Sequence, residues 1–189
     1  LSGEEGLLFL PVWYEKTLVE WKLREKGGGL VKIHPADSDL LNRCSRDSQN
    51  RLLTPSGETQ LTTTANHYGY ALIEDTPQKC VISMTGSQLK HSRYFNTLIQ
   101  GTKMDGEKGS FTPPSYSHWY TIKTQTESND RGSWYSYSIS QERSLNTKEA
   151  DLFTEAKDFS EFCAGGGMNQ LPNKSANTEA IEDNSKALY

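Results

Sequence analysis

Residues 116–140, YSHWYTIKTQTESNDRGSWYSYSIS, decide the fold. Two runs of alternating large and polar side chains, 116–126 and 133–140, flank a short polar stretch, which is the pattern of a β-hairpin. With Lys123 opposite Trp134 the tip is a loop over 127–130, Tyr120 faces Tyr137 and Ile122 faces Tyr135. One side of the hairpin then carries Tyr116, His118, Tyr120, Ile122, Tyr135, Tyr137 and Ile139, and reads as core. The other carries Ser117, Trp119, Thr121, Lys123, Trp134, Ser136 and Ser138, a solvent face on which two indoles have no core to fill.

Upstream, 9–14 and 17–22 read as strands, followed by a Gly27-Gly28-Gly29 turn and a third strand over 30–33. The polar stretch 35–66 reads mostly as loop. A second hairpin pairs 68–74 with 79–84 through the connection 75–78. Ser87 then caps a helix whose stripe is Leu89, Phe95 and Leu98, and Gly101 stops it. Residues 101–109 form a charged, glycine-punctuated loop, expected to be mobile. A second helix spans 148–163, opened by an Asn146/Glu149 capping box and striped by Leu152, Ala156, Phe159 and Cys163. The class is therefore mainly β with α additions: one internal helix and a C-terminal amphipathic helix. A single domain covers 1–163, and 164–189 read as a flexible acidic C-terminal tail.

The net charge of −4 is unevenly spread. Residues 1–148 hold 17 Lys+Arg against 16 Asp+Glu, and 149–189 hold 3 against 8. The body is thus not too acidic for a polyanion. Cys44, Cys80 and Cys163 are odd in number and widely spaced, which suits a reducing interior and suggests neither disulfides nor a zinc module. The apolar stretch 7–14 contains Pro11 and is too short to span a bilayer, so no membrane association is expected. No heptad run or internal repeat sets an oligomeric state.

Three groups combine aromatic and basic residues. Trp119, Lys123, Arg131 and Trp134 form a candidate stacking platform, since single-stranded bases stack on exposed rings while cations track phosphate. The alternative is that another element covers this face and both rings are core. Lys90, Arg93 and Tyr94 form a second group on the internal helix, and Trp21 and Lys22, with Arg24 and Lys26, a third. For both, solvated surface is the simpler reading. The triple glycine lacks the Lys-Ser/Thr of a phosphate loop, the four histidines are scattered, and no G-x-S-x-G elbow occurs. Catalysis, a metal and a cofactor are accordingly not expected.

Ser87-Gln88-Leu89-Lys90 with Ser92-Arg93 and Asn96, the run from Phe111-Thr112-Pro113-Pro114 to His118, and Asn129-Asp130-Arg131-Gly132-Ser133-Trp134 together resemble tailed-phage single-stranded DNA-binding proteins of the replication region. The likeness covers roughly 9–163. It implies a five-stranded, OB-like antiparallel barrel with added helices, working without sequence preference in phage DNA replication or recombination in the host cytoplasm. It also implies an acidic tail that meets phage replication proteins. Here the chain departs from the pattern, with only Glu179, Glu182 and Asp183 near its terminal aromatic. The competing reading is a virion or assembly protein whose aromatic face meets another protein.

Overall fold

In the computed structural model, which describes residues 3–130 and 132–167, the apolar and β-branched residues before the glycines form one continuous strand, β1 (Leu7–Lys22). It returns as β2 (Leu30–Pro35) through a tip in which Gly27, Gly28 and Gly29 all take positive φ, 103°, 64° and 105°, a run open only to glycine. A turn of helix, α1 (Leu40–Arg43), and the short β3 (Ser45–Arg46) and β4 (Leu52–Leu53) lead to the second long strand, β5 (Thr59–Ile73). Next come β6 (Thr76–Thr85), α2 (Leu89–Gly101), a small hairpin of β7 (Met104–Gly106) and β8 (Gly109–Phe111), β9 (His118–Asn129), β10 (Gly132–Ser144) and α3 (Ala150–Ala164).

β1 and β5 pair antiparallel from Phe9 and Ala71 to Lys22 and Thr59 and form the spine of one curled sheet. At one end the order is β10-β9-β1-β5-β6, a five-strand section; at the other β2 joins β1, while β4 and β3 extend from β5. The result is a mainly β, half-barrel-like antiparallel sheet with helical additions, the OB-like class expected.

Each helix covers one face. Phe95 of α2 is fully buried with Phe9, Ala65, Met84, Tyr120, Ile122 and Ile139. Ala156 of α3 is buried against Leu10, Val12, Tyr70 and Trp119 on the opposite face, its small side chain letting the helix approach the sheet closely. β1 serves both cores by alternation, with Phe9 in one and Leu10 in the other, and a bulge between Pro11 and Trp13 shifts the phase beyond them. The far end, with β2 and the tip, lies beyond both helices.

Four local expectations change. Residues 59–66 are strand rather than loop: the Thr62-Thr63-Thr64 run is polar but β-branched, and β1 pairs with all of it. The β5–β6 connection is two residues, Glu74 and Asp75, since Ile73 pairs with Thr76. Residues 101–109 are not all loop but supply most of the β7–β8 hairpin. The β9–β10 register brings Ile122 opposite Ile139, Trp134 opposite Glu127 and Asn129 opposite Gly132. That keeps the expected faces but slides each residue to a partner four positions along, because the slide pairs two isoleucines in the core. The stretch 168–189, which holds most of the expected tail, lies outside the described residues.

Candidate functional site

The solvent platform expected on the β9–β10 hairpin is not there. Trp119 is fully buried under α3 and cannot stack on a ligand. Its indole N–H donates to Glu149 Oε1 at 2.9 Å, and the Arg143 guanidinium lies 5.9 Å over its ring. Glu149 belongs to the capping box that opens α3, in which it also accepts from the backbone N–H of Asn146 at 2.8 Å. The residue that starts the helix thereby fastens it onto the ring that sequence parity assigned to solvent.

Trp134 is half-buried, and its indole N–H is buried without a partner among the described residues. Lys90 is spent on an ion pair with Glu127, the residue across the ladder from Trp134, and holds that carboxyl below its usual range. Ser136, one place beyond Trp134's neighbour Tyr135, is buried and bonds His91 of α2. Lys123, Arg93 and Tyr94 are exposed, with Tyr94 at 54%. Arg131 lies outside the described residues. Even in outline the group does not converge: Trp119 and the partner of Trp134 are eight positions apart on β9, about 26 Å. Tyr135, expected in the core, is 75% exposed, and it is Ser136 beside it that turns to α2 through His91.

The third group lies on the surface. Trp21 is 39% exposed, the one indole of four in the exposed class, and pairs across the ladder with Leu30. Lys22, Arg24 and Lys26 are exposed beside it, and none makes an ion pair among the described residues. The nearby carboxylates are engaged elsewhere. Glu25 meets Arg51 at 3.0 Å, and Glu20 accepts from the Thr59 hydroxyl at 2.6 Å and meets His34 at 2.8 Å; the Thr59 bond leads in holding Glu20 below its usual range. Buried Leu23 anchors the tip, its N–H donating to Glu58 O at 3.1 Å, while Lys22 N–H donates to Gly29 O at 2.9 Å. A stiff strand end thus presents an indole and three free cations on a glycine tip.

A second feature left only one local trace in the sequence. A cleft of about 540 Å³ beside the middle of β1 is lined by Trp13, Tyr14 and Tyr116 with Asn96 and Gln100 of α2. Pro11 was its one local sign, since proline cannot donate to a ladder and marks edges and bulges.

A family model described as Pam3 phage gp34-like protein matches residues 1–169. The chain belongs to that family. It is therefore a phage protein, and the gp34-like match takes in every described element of the sheet and all three helices. No curated protein and no solved structure matches the chain. Among the described residues no helix is long and apolar enough to cross a membrane, and no cluster of His, Cys, Asp and Glu could hold a metal ion.

Proposed function

We propose that this gp34-like protein binds single-stranded DNA without sequence preference in the infected cell during phage DNA replication or recombination, as a binding protein rather than an enzyme. The observation that carries the proposal is the β1–β2 tip, where exposed Trp21 stands beside unpaired Lys22, Arg24 and Lys26. An indole offers any base a stacking surface worth about 1–3 kcal/mol, and cations on a glycine tip can follow a phosphate backbone. Loops between the first strands of OB-like barrels are used in this way. On this reading the acidic C-terminal residues would meet phage replication proteins.

Titration of intrinsic tryptophan fluorescence with an oligo-dT at low and moderate salt tests it. Quenching is expected at low salt, and Trp21→Ala should weaken binding about tenfold. Trp119→Phe is expected to leave the DNA affinity unchanged. Absence of quenching at low salt would sink the reading.

One observation favours a second reading, a virion or assembly role. Leu30, Val31 and Ile33 of β2 are 38%, 52% and 41% exposed, and no described strand pairs with the outer edge of β2. An open apolar edge invites strand addition by another protein. Formation of a stable oligomer by a protein that ignores oligo-dT would support it.

A further inference from the structure

The outer edge of β1 is interrupted. β9 pairs with it at Leu7–Phe9 and β2 at Thr17–Trp21, while β5 occupies the other edge from Phe9 to Lys22. Along 10–16 the outer edge therefore meets no described strand, and the bulge beside Pro11 falls inside this gap. The cleft of about 540 Å³ opens there, walled by Trp13, Tyr14 and Tyr116 and roofed by the C-terminal half of α2. Ser115 closes one side, its hydroxyl donating to Val12 O at 3.0 Å.

The chemistry of the lining is narrow. Among the described residues, no Lys, Arg, Asp or Glu lines the cleft. His67 on its floor is 1% exposed, packs 5.0 Å from the Tyr14 ring and bonds Ser92 Oγ at 2.9 Å. Burial depresses its pKa to about 4, so it too is neutral at pH 7. The amides of Asn96 and Gln100 and the indole N–H of Trp13 have no hydrogen-bond partner among the described residues. Rings for stacking, amides with both donor and acceptor free, and no charge suit a flat, neutral heterocycle with hydrogen-bonding edges. The same lining disfavours phosphate, which would lose its hydration without gaining a cation.

We propose that this cleft takes one nucleobase of the bound strand, stacked against Tyr14 or Tyr116 with its edge met by Asn96 and Gln100. This rests on the single-stranded DNA reading and deepens it. Tyr14 and Trp21 are seven positions apart on β1, about 23 Å. One strand can bridge them within the roughly 4–16 nucleotides that OB-type folds cover. The tip then supplies phosphate affinity, and the cleft supplies a contact that only a base can make.

The test compares an oligo-dT with an abasic strand of equal length and charge, by anisotropy. Wild type should bind oligo-dT more tightly than the abasic strand. Asn96→Ala with Gln100→Ala, and separately Tyr14→Ala, should each weaken oligo-dT binding about tenfold while leaving the abasic affinity and the salt slope unchanged. Near-ultraviolet circular dichroism checks that the variants keep the fold. If both variants bind oligo-dT as wild type does, the cleft proposal is overturned and the tip reading stands. If wild type binds neither strand, both fall. Saturable binding of a neutral glucan oligosaccharide but not of thymidine would assign the cleft to a sugar and overturn the base.

Discussion

Glu149 joins three elements through one carboxylate. Arg143 Nη1 and Nη2 donate to it at 2.7 and 2.9 Å, the Asn146 N–H at 2.8 Å and the Trp119 indole at 2.9 Å. The Arg143 bonds lead in lowering its pKa to about 2. Glu149→Gln should therefore cost about 2 kcal/mol at neutral pH in urea unfolding, the usual size for hydrogen bonds to a charged group. A carboxylate whose folded pKa is depressed stabilises above its ordinary value of 4.5 and loses that contribution as pH falls towards 2, so the gap between the two proteins should close over that window. His67 works on a higher window. Its folded pKa, about 4 against 6.5, means that the unfolded chain takes up a proton first. Stability should fall as pH drops from about 6.5 to about 4, by up to about 3 kcal/mol, and His67→Phe should remove that part of the slope. The capping box of α3 was legible from Asn146 and Glu149 three residues apart. That the same carboxylate would capture Trp119, thirty positions upstream, was not, because nothing local in either segment encodes how α3 docks.

Strand identity was readable wherever β-branched or aromatic residues alternated, and register was not. The β9–β10 pairing shows the reason: a slide that preserves parity leaves every face assignment intact, so hydrophobic alternation cannot tell the registers apart. The structure settles it by the Ile122–Ile139 pair. Turn chemistry misled for a different cause. Glu74 and Asp75 occupy the β5–β6 turn at φ 50° and 59°, positions where Asn-Gly is preferred. Glu74→Asn with Asp75→Gly should raise stability by about 1 kcal/mol in thermal unfolding. Gly69 is the reverse case. It sits opposite Pro11 at the bulge, and an added Cβ would collide with the backbone oxygen of Leu10. Gly69→Ala should destabilise by about 2–4 kcal/mol, by forcing apart the two strands that form the spine. The cleft stayed hidden because it is made by strands that stop short, β9 at Phe9 and β2 at Thr17, and strand ends are set by tertiary contacts.

At the scale of the whole molecule, α2 and α3 each cover one face of the five-strand section, and the β1–β2 end projects beyond them. That division explains which aromatic groups remained available. Trp119 and Trp134 lie on the hairpin that the helices cover or flank, whereas Trp21 lies past their reach. A near-neutral body with a basic tip fits a ligand engaged by local cations rather than by overall charge. The measurement that tests this most directly is the affinity for a labelled oligo-dT across roughly 50 to 200 mM salt, comparing wild type with Lys22→Glu plus Lys26→Glu. Wild type should show a negative log–log slope, and the double variant should bind more weakly with a slope shallower by about 1 to 2. Equal affinity and equal slope for the two proteins would contradict the placement of DNA on the β1–β2 tip.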